Sequence, residues 1–285
     1  MTASLRKNIN APNSKYLVFS SAGDNAKVYH WLKGSRNFDL WICYYGDVKN
    51  KYAALSDFYI ERKGGKFPNL HYVYQHWQSI LNHYQAIFVI DDDIIIDGAE
   101  ISRLFEVLKQ YDLWLLQPAF NPTGKISHRI TRIHPFNFLR YTNFVEVTCP
   151  LFRKDKLDAF MKIYDPVLVG WGIDYWFMDV LGPKINKKVA VVDAISCINP
   201  RDASKGCQRE IEVLQDTPTR IQNWKKIQEQ YKIKLQEHME FNVIKNSLNI
   251  STVFRAIKTY STIGALGCLK KLGNLTNRLN RNWGN

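Results

Sequence analysis

The chain has 285 residues, 46% of them hydrophobic and 13% aromatic, which excludes a disordered chain and fits one large domain, or one domain with a helical extension. Its formal net charge of +13 leaves three classes of acidic partner: nucleic acid, an anionic membrane surface or a phosphorylated substrate. The cysteines Cys43, Cys149, Cys197, Cys207 and Cys268 are odd in number and form no close CxxC pair. That argues against a disulfide framework or a zinc ribbon and for a reducing compartment. The first residues, MTASLRKNINAPNSKY, lack the apolar core of a signal peptide, and no uninterrupted apolar run reaches the ~18 residues of a membrane span. The expected location is cytoplasmic.

In chain order, YLVFS at 16–20 reads as a buried strand that ends in Ser-Ser-Ala-Gly-Asp, with a helix from Asn25 to Lys33 after it. FDLWICYY at 38–45 is a second strand, closed by Gly46-Asp47, and 57–61 a third. Pro68 to Tyr84 carries Leu70, Val73, Trp77, Ile80 and Leu81 at helical spacing. AIFVI at 86–90 is a fourth strand that runs directly into Asp91-Asp92-Asp93. A helix from Ala99 to Tyr111 and a strand at 113–117 follow. Strands that alternate with helices predict an α/β fold with a mainly parallel sheet covered on both faces, ligands binding beyond the carboxyl ends of its strands. The second half predicts a strand at 144–152 broken at Pro150, helices at 155–164, 173–181 and 219–238, and a strand at 188–193.

Three adjacent carboxylates at a strand end repel one another and need a counter-charge. A hard divalent cation, Mg²⁺ or Mn²⁺, supplies it through oxygen ligands and bridges to diphosphate oxygens. Asp91 and Asp93 are the candidate metal ligands, and Asp92 the candidate for orienting a donor sugar or ribose; a solvated acidic turn is the alternative. The second motif is Gly170-Trp171-Gly172-Ile173-Asp174. Its glycines permit positive φ and close approach, and Trp171 offers a flat face for a sugar ring. Asp174, at a helix N-terminus, is a candidate general base; the alternative is a turn with Asp174 as cap and Trp171 in the core. Glu146, set in an apolar stretch, needs a partner and is a candidate for sugar hydroxyls.

A strand ending in Asp91–Asp93 followed some eighty residues later by GWGxD is similar to the GT-A glycosyltransferases. Added to these, Phe144-Val145-Glu146 with Pro150 and Phe152, then Val191-Val192-Asp193, resemble the glycosyltransferase-like family called domain of unknown function 707, over roughly residues 15 to 205. The resemblance implies a Rossmann-like GT-A fold, a nucleotide-sugar donor and a divalent metal. It also implies that Ser20, Asp24 and Asp47 lie where the nucleoside is held. The chain departs from the family at one point: where the family's VVD strand runs to a histidine, Asn199 stands here, a weaker and uncharged ligand, with Asp202 as a substitute. Arg201 and Lys205 follow as candidate phosphate contacts. His128 and His134 flank the basic stretch KISHRITRIH, read as a solvated charge run, with an acceptor-side loop as the alternative.

From Phe241 to Asn285 there is no acidic residue, while Lys245, Arg255, Lys258, Lys270, Lys271, Arg278 and Arg281 are basic. Apolar residues from Val253 to Leu275 recur every three or four positions. This predicts a catalytic domain over 1–240 and a basic amphipathic helical tail over 241–285 that lies on an anionic membrane surface, against a helix packed on the domain. The residues predict a sugar transferase acting on a glycan or lipid-linked acceptor in cell-surface polysaccharide synthesis, peripheral at the inner face of the membrane. A metal-dependent nucleotidyltransferase and a non-catalytic glycan-binding or membrane scaffold stay open. Nucleic acid is set aside, since the excess charge is concentrated in the tail and no nucleic-acid motif appears.

Overall fold

The computed structural model describes residues 3–182, 184–202 and 210–246, with positions 257, 259, 261, 262 and 264. Tyr16–Ala22 (β2) is buried along its whole length, as a strand covered on both faces must be. Its alternation sends Tyr16 and Val18 into one core and Leu17 and Phe19 into the other. Around it lie β1 (Arg6–Lys7), β3 (Asp39–Tyr44), β4 (Phe58–Glu61), β5 (Ala86–Val89), β6 (Leu115–Phe120), β7 (Asn137–Thr142), β8 (Leu151–Arg153), β9 (Val189–Cys197) and β10 (Glu240–Lys245). Among the described residues these form one ten-stranded sheet in the order β1-β4-β3-β2-β5-β8-β6-β9-β7-β10. The strands β2, β3, β4, β5, β6, β9 and β10 share a direction, and β1, β7 and β8 oppose them. The expected mainly parallel α/β sheet is present.

Helices α1 (Val28–Trp31) and α3 (Gly98–Gln110) cover the first face; α2 (Lys66–Leu81), α4 (Lys154–Met161), α5 (Ile173–Leu181) and α7 (Thr217–Tyr231) cover the second, and α6 (Glu210–Leu214) precedes α7. In α3, Ile101, Leu104, Phe105 and Leu108 are buried at the three- and four-residue steps of an amphipathic helix. α7 starts at Asp216, whose side chain accepts from Thr219 N–H, and stops at Lys232, which is left-handed. That residue ends the helix short of the predicted His238. No helix among the described residues is long and apolar enough to cross a membrane.

Two expectations are corrected. Residues 144–150 are irregular and only 151–153 are strand, because the carbonyls of 147 and 148 are taken by the Lys66 side chain. The predicted tail begins inside the sheet: 240–245 form β10, paired antiparallel with β7. The rest of that tail, the positions above excepted, lies outside the described residues.

The edge formed by β9, β7 and β10 is built on Arg140, which is fully buried. Its five N–H donors all find oxygens. Nε and Nη2 take both oxygens of Asp193 at 2.7 and 3.1 Å, Nη1 takes Ile130 O at 2.9 Å and Glu240 at 2.5 Å, and Nη2 takes Arg132 O at 2.8 Å. Asp193 also accepts from His134 N–H at 2.8 Å. His134 is therefore held in place as part of the scaffold. Arg140→Leu leaves Asp193 buried without its counter-charge, and urea unfolding should show a loss of about 3–5 kcal/mol; a loss below ~1 kcal/mol would remove the network from its structural role.

Candidate active site

The strands that share a direction end on one edge of the sheet, and a cleft of about 1170 Å³ lies across that edge. β2 delivers Ser21, β3 delivers Asp47, β4 leads to Lys63 and Lys66, β5 to Asp91–Asp93, β6 to Lys125 and His128, and β9 to Asn199. The antiparallel β8 starts at this edge, so the loop ahead of it brings in Glu146 and Thr148. The 169–174 loop and the helices α6 and α7 form the remaining wall.

At the centre the acid triplet is divided in its roles. Asp92 accepts from Gly23 N–H at 2.8 Å and from the Tyr45 hydroxyl at 2.7 Å, which turns it towards the β2 and β3 loops. Enclosure by protein pushes its carboxyl up to about 6. Asp91 pairs with the Lys66 ammonium at 2.6 Å. Lys66 is almost fully buried, and it also donates to Val147 O at 2.7 Å and Thr148 O at 2.8 Å, with Val89 O at 3.4 Å. Part of the counter-charge that the triplet requires is thus supplied by the chain itself.

Asp91, Asp93 and Asn199 line the same cleft. Asn199 is buried, and its Oδ1 has no hydrogen-bond partner. A buried amide oxygen left without a donor, on the same cleft as two carboxylates, fits a hard cation. Among the described residues no group of three or more His, Cys, Asp and Glu is gathered for a metal. Two carboxylates and one amide oxygen suit a Mg²⁺- or Mn²⁺-type ion that completes its shell with substrate phosphates. Asp202, the sequence alternative, pairs with Lys125 at 2.7 Å.

Next to the triplet, joined to it through Asp91 N–H and Thr148 O at 2.8 Å, stand two buried carboxyls. Asp174, in the first turn of α5, accepts from Tyr175 N–H at 3.0 Å through Oδ1 and from Val147 N–H at 3.5 Å through Oδ2. Burial raises it to about 6. Glu146 accepts from the Thr148 hydroxyl at 2.9 Å through Oε1, while Oε2 is buried with no hydrogen-bond partner. Burial, then the charges of Asp174 and Asp91, raise Glu146 to about 7.

The other sequence candidates separate. Asp24 lines the cleft, but its carboxylate is engaged by the Tyr44 hydroxyl and by Asp47 N–H at 3.0 Å, the first of which chiefly holds it below the usual carboxylate range. Asp47 lines it too, paired with Lys63 at 2.9 Å. Ser20 is fully buried away from the cleft, where its neighbour Ser21 stands, because successive strand residues face opposite sides. Arg201 does not line the cleft; it donates to Thr123 O at 3.3 Å. Lys205 lies outside the described residues. Trp171 is 56% exposed on the cleft wall, not in the core. Gly172 has φ +92°, and a Cβ there would overlap the Trp224 indole. The glycine is required by the packing of α7.

Lys66, Tyr45, Ser127, Thr148 and Arg220 line the cleft without having been singled out from sequence. For Lys66 the signal is Gly64-Gly65-Lys66 at a strand-to-helix junction, a loop that brings a cation close to backbone and anion. His128 belongs to the cleft as well, its ring packed 4.7 Å from Phe144 and 5.1 Å from His238, with burial lowering its pKa. The solvated reading of that stretch fails at this residue, since Phe144 and His238 enclose it.

No protein-family model and no curated protein matches the sequence. Among solved structures the chain is similar to S. aureus TarS 1-349 in complex with UDP, at TM-score 0.45 and 10% identity over 65% of this chain and 60% of that one. It is similar to TarS 1-349 in complex with UDP-GlcNAc at TM-score 0.46 and 9% identity, over 68% and 61%. A197 from STIV gives TM-score 0.37 and 11% identity over 64% of this chain and 83% of that chain. The chain thus matches about 60% of the length of the TarS 1-349 chains.

Glu146 makes stability pH-dependent. Its carboxyl sits near 7 when folded against about 4.3 when unfolded. Between those values the folded state holds the extra proton, so stability falls as pH rises through the window. Glu146→Gln removes this term. Urea unfolding should find the variant more stable than the parent at pH 8, by up to roughly 3 kcal/mol, and the gain should vanish below pH 4. A gain independent of pH would assign the effect to packing.

Proposed function

We propose that the chain is a glycosyltransferase of the GT-A type, moving a sugar from a nucleotide-sugar donor to a hydroxyl of a glycan or lipid-linked acceptor in polysaccharide synthesis. The observation that carries this reading is the buried, unpartnered Oε2 of Glu146, carried by a loop bonded to the acid triplet at Asp91 and lining the same cleft. The β2, β3 and β4 ends hold the nucleoside, with Asp24 and Asp47 as its polar rim. Asp91, Asp93 and Asn199 would hold Mn²⁺ or Mg²⁺, which supplies positive charge to the departing diphosphate. Lys66 holds Asp91 in place through their ion pair, and Lys27, on the same rim, meets phosphate oxygens.

Glu146 and Asp174 divide the work of the acceptor side. Sequence points to Asp174 as base, but both its oxygens accept backbone N–H groups. Glu146 has a buried oxygen without a hydrogen-bond partner and a pKa near neutrality, the match a general base requires. In this reading the acceptor hydroxyl gives its proton to Glu146 as its oxygen attacks the anomeric carbon and the nucleoside diphosphate leaves. Asp174 fixes the 146–148 loop through Val147. The basic tail would bring the chain to an anionic membrane surface.

Calorimetry with a panel of sugar nucleotides, in Mn²⁺, in Mg²⁺ and in EDTA, tests the donor assignment. One donor should bind in a metal-dependent way, and Asp91→Asn/Asp93→Asn should weaken it at least tenfold; no binding to any donor would turn the reading to the scaffold. Glu146→Gln should lower kcat by about 10²–10⁴ with donor affinity kept. A larger loss in Asp174→Asn than in Glu146→Gln would return the base to Asp174.

A further inference from the structure

The wall that closes the cleft opposite the nucleoside end is made by two segments that depend on each other. The 167–172 loop is clasped by α6 and α7: Trp224 fills the space left by Gly172, Ile211 the space left by Gly170, and Asn223 donates to Val167 O at 3.4 Å. One helical turn before Trp224, on the cleft side, stands Arg220.

The cleft cations differ in how they are matched. Lys63 pairs with Asp47, Lys66 with Asp91 and Lys125 with Asp202. Arg220 makes no ion pair among the described residues. Its Nη2 donates to the Thr217 hydroxyl at 2.9 Å, and its Nε is buried with no partner. Asp216, four residues earlier, is engaged in capping the helix through Thr219 N–H at 2.8 Å. A buried N–H of a charged group without an acceptor is a costly arrangement that a bound oxyanion relieves. The guanidinium is the side chain best shaped to receive a phosphate or carboxylate through two N–H groups. Beside it on the same wall Trp171 offers an exposed ring face, suited to the apolar face of a saccharide.

We infer that Arg220 and Trp171 form an acceptor subsite for an anionic sugar, the ring stacked on Trp171 and its phosphate or carboxylate held by Arg220. The assignment of this subsite to the acceptor, not the donor, rests on the transferase reading given above. The triplet, Lys66 and Lys27 belong to the donor end, so the two anions of the reaction meet separate cations.

The test loads the full chain with UDP and Mn²⁺, which fills the donor phosphate contacts, and measures the affinity of glucose, glucose 6-phosphate and glucuronate by NMR titration. At least one of the two anionic sugars should bind tenfold or more tightly than glucose. Preference for glucose 6-phosphate assigns the phosphate, preference for glucuronate the carboxylate, and either supports the subsite. In Arg220→Gln the preference should vanish with glucose and UDP affinity unchanged. Arg220→Met, of similar length, gives the same reading if the glutamine variant does not fold. Trp171→Ala should weaken all three sugars and keep the preference. Lys27→Gln should weaken UDP alone. Equal binding of the three sugars by the parent, or a preference that survives in a folded Arg220 variant, overturns the subsite. Failure of UDP to bind, with the Arg220-dependent preference intact, strikes the transferase reading and leaves the anion site standing.

Discussion

The ammonium of Lys66 lies in the interior because four oxygens meet it there: Val89 O from β5, Val147 O and Thr148 O from the loop opposite, and a carboxylate oxygen of Asp91. A charge removed from water is tolerated only when it is paired and hydrogen-bonded, so this set cannot loosen at one point without exposing the rest. It links the N-terminus of α2, the end of β5 and the loop that carries Glu146. The consequence is a short path between the acid triplet and the two buried carboxyls. The chain at 144–150 is bent away from strand geometry to keep it.

That arrangement also sets the electrostatics of the cleft. Asp92, Glu146 and Asp174 are all raised, each chiefly by burial. They differ in what opposes the rise. Asp92 and Asp174 receive backbone N–H groups that favour the ionised form, whereas Glu146 has side-chain hydroxyls, Thr148 first, and the repulsion of its neighbours. Environments that push similar groups apart are how a site assigns different tasks to chemically equal side chains. Here the carboxyl with the unpartnered oxygen is the one raised nearest to neutral pH.

Much of this was legible in the residues. Buried runs that end in Gly-Asp or Asp-Asp-Asp locate β2, β3 and β5 and the edge they share, because a parallel strand has no other place for such acids than its exit. The roles within the edge were less legible. Asp91's partner is a lysine twenty-five positions earlier, on a helix whose periodicity speaks only of its apolar side. Ser20 and Ser21 differ by one step of the strand, which decides core against cleft, and composition does not tell which. β7, with Asn137 and Arg140, has the look of a basic loop; it is a strand because Asp193 and Glu240 arrive from 53 and 100 residues away. Pairings of that range are set by topology, not by local pattern.

The clasp of Trp224 over Gly172 has a temporal side. The strands β2 to β5 with α1 to α3 are complete by residue 110, while the loop that bears Trp171 and Asp174 acquires its cover only when α7 has been made, and the last sheet edge only when Glu240 reaches Arg140. Domains built during synthesis order their early parts first. A nascent chain of this protein therefore holds the strands that lead to Asp24, Asp47 and Asp91–Asp93 before it holds the wall that bears Trp171, and the two ends of the cleft come together only in the finished fold.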